Sequence, residues 1–97
     1  LKYYNRMITH TETDTKGEFI LKRDGKQAGK MTYSKMGNKK IIIDHTEVEE
    51  PFKNTGAGRA LVEHGVQWAR ENDIKVLPLC PFAKNLIDRD PDLQDVL

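Results

Sequence analysis

Several things are scarce in this 97-residue chain, and each scarcity removes a class of function. A single cysteine, Cys80, excludes an internal disulfide and any cysteine-based zinc cluster. The three histidines, His10, His45 and His64, have no spacing that suggests a metal site, so none is expected. Charge of one sign is missing too. Sixteen basic and fifteen acidic residues leave a net charge of +1, without the basic excess of a nucleic-acid binder. Lys22-Arg23 and Lys39-Lys40 read as solvated strand-end and turn charges rather than a phosphate-backbone patch. No apolar run approaches the ~20 residues of a membrane span, and residues 1–6 lack the apolar centre of an export signal. A cytoplasmic protein with no membrane partner is expected.

What is present fits one soluble domain. Hydrophobic residues make up 37% and charged residues 32%, and the length leaves no room for a second core. Residues 1–17 are mostly polar and set no period. Tyr3, Tyr4, Met7 and Ile8 could pack on a sheet edge, but this stretch is read as a partly flexible segment without an element. Residues 18–97 form the domain. Residues 18–48 read as a three-stranded antiparallel meander. Phe19-Ile20-Leu21 is a strand, Asp24-Gly25 a tight hairpin turn, residues 27–33 a second strand and Met36-Gly37-Asn38 another turn. Ile41-Ile42-Ile43 marks a central strand buried on both faces.

Pro51 ends that strand and the period changes. From Gly56 to Glu71, Arg59, Glu63, Gln67, Arg70 and Glu71 recur on one side and Leu61, Val62, Val66, Trp68 and Ala69 on the other, an amphipathic helix of about four turns. Asn54 or Thr55 is the expected N-cap and Asn72 a left-handed stop. Residues 74–80 form an apolar strand, which a helical crossover of this length makes parallel to the first. Pro78 limits its pairing. A short helix over 83–88 follows, and Asp90-Pro91 opens a last one that Leu93, Val96 and Leu97 would dock. The class is α+β.

The informative stretch is Lys53-Asn54-Thr55-Gly56-Ala57-Gly58-Arg59, leaving a central strand and opening the long helix. Amides at a helix start lack intrahelical acceptors and carry the positive end of the dipole. Glycines let a pyrophosphate approach that backbone, and Lys53 and Arg59 add countercharge. A Walker loop is absent, and Leu61 stands where a dinucleotide fingerprint needs its third small residue. The pattern [QR]-x-x-G-x-[GA] matches except that lysine stands first. An ordinary tight turn would carry the same glycines.

Taken with Asp44-His45-Thr46-Glu47-Val48 before it and Leu77-Pro78-Leu79-Cys80-Pro81-Phe82-Ala83 after it, the loop resembles the small, roughly hundred-residue branch of the Gcn5-related N-acetyltransferases, over residues 18–97. The resemblance implies that family's α/β/α-type fold and acetyl-CoA bound where two parallel strands splay apart. Its phosphates would lie on Lys53, Asn54, Thr55, Gly56, Ala57, Gly58 and Arg59. Its pantetheine arm would run past Thr46, Val48, Glu49, Cys80 and Ala83. Lys53 departs from the usual arginine or glutamine, and Leu93 stands near where an aromatic is expected.

Acetyl transfer to an amine needs a base, donors for the oxyanion and a proton or countercharge for the departing thiolate. His45 is the natural base, since imidazole exchanges protons near neutral pH. By strand alternation it would share a face with Ile41, Ile43 and Glu47, opposite Asp44 and Thr46. Glu47 is the second candidate base. Cys80 ends a parallel strand, where ligands of such sheets gather, and could protonate the thiolate or accept acetyl. Amides of 48–50 would polarise the thioester. Each has a plainer reading: a hydrogen-bonded structural histidine, a solvated carboxylate and an inert buried thiol. Three functions follow: a monomeric N-acetyltransferase acting on a small amine or a protein lysine, an acetyl-CoA- or CoA-binding module without efficient transfer, or an interaction domain with a vestigial loop.

Overall fold

The computed structural model of the chain describes residues 6–97. Four antiparallel strands run in sequence order: β1 (Arg6–Glu12), β2 (Lys16–Arg23), β3 (Lys26–Lys35) and β4 (Lys40–Val48). A fifth, β5 (Lys75–Pro78), joins β4 in parallel, giving the order β1-β2-β3-β4-β5. Between β4 and β5 come a 3₁₀ turn (Glu50–Phe52) and helix α1 (Ala57–Glu71). Helix α2 (Pro81–Arg89) and a 3₁₀ segment (Pro91–Val96) close the chain.

The meander therefore has four strands rather than three, and the expectation of an unstructured 1–17 is corrected from Arg6 onward. Tyr3 and Tyr4 lie outside the described residues. β1 pairs with β2 from Arg6↔Arg23 to Glu12↔Gly17. Its inward positions are Ile8, packed on the core, and His10, whose ring stacks on Phe19 with centroids 4.1 Å apart. A histidine doing an aromatic residue's work hides the alternation from the sequence. At the β2–β3 turn Asp24 and Gly25 have φ of 51° and 81°, the paired left-handed conformation of a two-residue hairpin.

α1 buries Leu61, Val62, Val66 and Ala69 against Phe19, Leu21, Met31, Tyr33, Ile41 and Ile43. The terminal 3₁₀ segment runs beside α1, tied by Arg59 to Asp90 and Arg70 to Asp95, and adds Leu93 and Val96 to the same core. α2 contributes Ala83 and Ile87. Two cap expectations are corrected. The N-cap is Gly56 at φ 85°, with no side-chain cap, because the Thr55 hydroxyl instead donates to Phe52 C=O and Asn54 itself sits at φ 64°. The left-handed stop is Asp73 at φ 58°. Asn72, at φ −112°, turns its side-chain amide back onto Trp68 C=O at 2.8 Å.

β5 is shorter than the 74–80 expected. Its register ends at Ile43↔Pro78, and the amides of Leu79 and Cys80 both converge on Ile43 C=O, at 3.2 and 3.1 Å. Beyond that carbonyl β4 runs on to Val48 paired only with β3, so the two parallel strands part.

A second irregularity lies at the same height. Between β3 and β4 the register jumps from Tyr33↔Ile43 to Thr32↔His45, leaving Asp44 as the extra residue of a β-bulge. The expected face assignment is thereby corrected. Ile41 and Ile43 share the core side with Thr46 and Val48, which stand opposite Met31 and Gly29. Asp44, His45 and Glu47 share the other. On that opposite sheet face none of Glu18, Ile20, Lys30, Thr32, Ser34, Ile42 or Asp44 is buried. Ile42 is thus not covered on both sides.

Candidate active site

The parted strands open into a groove of about 660 Å³ whose walls are Thr46, Glu47 and Val48 on one side and the start of α1 on the other. Lys53, Asn54, Gly56, Ala57, Gly58 and Arg59 line it, with Phe52 and Phe82. The volume suits a cofactor-sized ligand. The first intrahelical bond back into the cap is Ala60 N–H to Gly56 C=O at 3.0 Å. The amides of Ala57, Gly58 and Arg59 precede it and carry the positive end of the helix dipole. Nothing lies within 4 Å of where a Gly56 Cβ would be, and its φ of 85° is one only glycine takes readily. At Gly58 a Cβ would stand 2.6 Å from the Phe82 ring, so glycine lets that ring close over the first turn of α1.

Countercharge is distributed unequally. Lys53 is 54% exposed and makes a loose pair with Glu50 at 3.4 Å, leaving its ammonium able to swing into the groove. Arg59 is held by Glu63 and by Asp90, both at 2.7 Å. Those two partners, Glu63 foremost, raise its already high pKa.

Not every expected residue reaches the groove. Glu49 spends its amide on Ala28 C=O at 2.8 Å, which removes it from the oxyanion donors expected of 48–50. Thr55 turns toward Arg23, whose Nη1 donates to its hydroxyl at 2.7 Å and Nη2 to its carbonyl at 3.4 Å. Ala83 has no exposed surface and packs in the core. Cys80 is 5% exposed, with its thiol 3.5 Å from Thr46 Oγ1. It therefore sits directly behind a groove wall, where the strands part. His45 stands on the opposite sheet face, exposed, one residue from Thr46. Among the described residues no cluster of three ligating side chains is placed to hold a metal, and no helix is long and apolar enough to cross a membrane.

Sequence reasoning missed Arg23 and Phe52 around this groove and named Phe82 only within the motif that carries the family resemblance. Arg23 lies 32 residues from Thr55, and only the hairpin's return brings it to the loop. It also missed a second groove, of about 730 Å³, on the face bearing His45.

Residues 18–96 match the family described as GCN5-related N-acetyl-transferase. The chain belongs to that family. Among solved structures, a GCN5-like putative N-acetyltransferase from Staphylococcus aureus is 30% identical, with a TM-score of 0.67, over 91% of this chain and 85% of that one. A ribosomal-protein-alanine N-acetyltransferase from Brucella melitensis biovar Abortus 2308 is 17% identical with a TM-score of 0.69, over 79% of this chain. A putative streptothricin acetyltransferase from Bacillus anthracis str. Ames, in complex with acetyl coenzyme A, is 19% identical with a TM-score of 0.58, over 69% of this chain. The last two share the fold. This chain spans 62% of the Brucella enzyme and 39% of the Bacillus one. Among curated proteins none matches.

Proposed function

We propose that this chain transfers the acetyl group of acetyl-CoA to an amine. One observation carries the reading: the gap between β4 and β5 beyond Ile43 opens into the same groove as the glycine-lined start of α1. Membership of the family and the acetyl-CoA bound in the Bacillus relative support it. The amides of Ala57, Gly58 and Arg59 hold the pyrophosphate, with Lys53 closing on it as countercharge. Arg59 serves more through its amide than its guanidinium, which two carboxylates already occupy. Thr46 and Val48 guide the pantetheine arm through the gap, bringing the thioester level with Asp44 and His45.

There the amine nitrogen forms its bond to the thioester carbonyl carbon as His45 removes the amine proton. Glu47 is the alternative base, acting through water. Carbon–sulfur cleavage then returns the electron pair to sulfur, and Cys80, beside Thr46, supplies the proton the CoA thiolate takes up. Solvent restores both groups. Cys80 acts as an acid here rather than as an acetyl carrier, because at 5% exposure it lies behind Thr46 rather than in front of it. A cytoplasmic monomer fits the single free cysteine and the supply of acetyl-CoA.

A CoA-binding module without transfer needs no acceptor pocket, and the 730 Å³ groove beside His45 weighs against that reading. The test is calorimetric titration with acetyl-CoA. Micromolar binding, about −8 kcal/mol, is expected, with at least tenfold loss in Gly56→Glu, which adds a carboxylate at a φ glycine favours. Absence of binding by the folded protein overturns the proposal. Binding with no CoA release to any amine leaves the binding module.

A further inference from the structure

The second groove lies on the sheet face that carries no buried residue, bounded by the β1–β2 hairpin and by Leu79 at the tip of β5. Its floor includes Thr32, Ser34, Asp44 and His45. The cofactor groove begins at the next residue of the same strand, with Thr46, Glu47 and Val48. Five consecutive residues of β4 are thus divided between two adjoining grooves, with Thr46 and Val48 on the core side of the sheet and Asp44, His45 and Glu47 on the other. The bulge at Asp44 makes this possible. It turns Asp44 and His45 onto one face together, where regular alternation would separate them.

The lining shows what would sit there. Glu18 and Asp44 present carboxylates, and among the described residues neither forms an ion pair with a cation. Asp44 is instead steadied by the Ser34 hydroxyl, which donates to it at 2.7 Å. Lys16 is the one ammonium on the rim. Glu12 also borders the groove, but its carboxylate is engaged by Tyr33 and Lys35. Threonines and Ser34 make up most of the remainder, with Gly17 and Tyr33, and no helix residue lines it.

We propose that this groove is the acceptor site and that it takes a primary alkylammonium carried on a flexible aliphatic chain, as in a linear polyamine or a lysine side chain. The proposal rests on the acetyl-transfer reading. Glu18 and Asp44 attract and orient the cation, and His45, adjacent to Asp44, takes its proton as the nitrogen meets the thioester across the strand. An anionic amine would face two unpaired carboxylates.

Spermidine, a lysine peptide with a blocked N-terminus, and aspartate serve as probes. They are assayed by CoA release with the wild-type chain and with Glu18→Gln/Asp44→Asn. Acetylation of the cationic probes is expected, with KM raised at least tenfold in the double variant, an unchanged Kd for acetyl-CoA, and no use of aspartate. Spermidine and the peptide tell the two sources apart by their relative kcat/KM. An unchanged KM, or aspartate used as well as spermidine, overturns the proposal. Backbone amide shifts of the CoA-loaded protein on spermidine addition separate the two readings. Shifts at Thr32, Asp44 and His45 without turnover would preserve the cation site and defeat acetyl transfer. Turnover with shifts confined elsewhere would do the reverse.

Discussion

Tyr33 stands at the centre of a side-chain chain that no sequence pattern announces. Its hydroxyl donates to Glu12 Oε2 at 2.6 Å and accepts from His10 Nε2 at 2.6 Å, while Lys35 holds the other Glu12 oxygen at 2.9 Å. The ring itself has no exposed surface. Burial, then the Glu12 carboxylate, pushes its phenol well above the ordinary tyrosine range, so it stays protonated. Burial also holds the His10 imidazole below its usual value, against the smaller opposing pull of Glu12. The bonds to Tyr33 and then Lys35 lower the Glu12 carboxylate. Both depressed groups act in one direction. The stability they contribute is complete above the unfolded pKa of each, ~6.5 for histidine and ~4.3 for glutamate. It is lost as pH falls through those values toward the lowered folded ones, because the unfolded chain takes up the protons first. Melting temperature should therefore begin to fall below about pH 6.5, and His10→Asn should flatten that first part of the profile. An unchanged profile in the variant would remove His10 from the account.

At the scale of elements, three junctions position the site: the bulge in β4, the end of β5 and the loop into α1. The helix was legible because its apolar residues recur at helical spacing over fifteen positions, and Ala57–Glu71 falls within one residue of the sequence reading. The Asp24-Gly25 turn was legible because its backbone demand is local. The bulge was not, since Asp44 differs from its neighbours only in lacking a partner across the ladder. Faces assigned by counting twos were consequently reversed beyond it. The glycine loop before α1 has a comparable dependence on distance. Arg23, at the end of β2, fastens Thr55 by two hydrogen bonds, and its Nε is buried without a protein partner. Arg23→Ala should loosen the approach to Gly56 and weaken acetyl-CoA binding on the order of tenfold, the worth of a charge-assisted hydrogen bond. Calorimetry on a variant that melts near the wild-type temperature checks this. Unchanged affinity would show that the loop keeps its shape alone.

For the molecule as a whole, one core joins sheet, α1, α2 and the terminal 3₁₀ segment. A single cooperative unfolding is expected. The fluorescence of Trp68, which packs against His10, Phe19 and Tyr33, should follow the same denaturant curve as far-ultraviolet circular dichroism. Separate midpoints would mean that β1 or the C-terminal elements come away on their own. The sequence by itself determined the order of elements from β2 onward, the crossover that makes β5 parallel, and the glycine loop at the head of α1. Those follow from periodicity, turn chemistry and backbone freedom, which act between near neighbours. Only the tertiary structure decided that β1 is a strand, that Asp44 and His45 share a face, that Arg23 reaches Thr55, and that two grooves meet across β4. These depend on register and on contacts between residues far apart in the chain, and the residues involved carry no local mark of their partners.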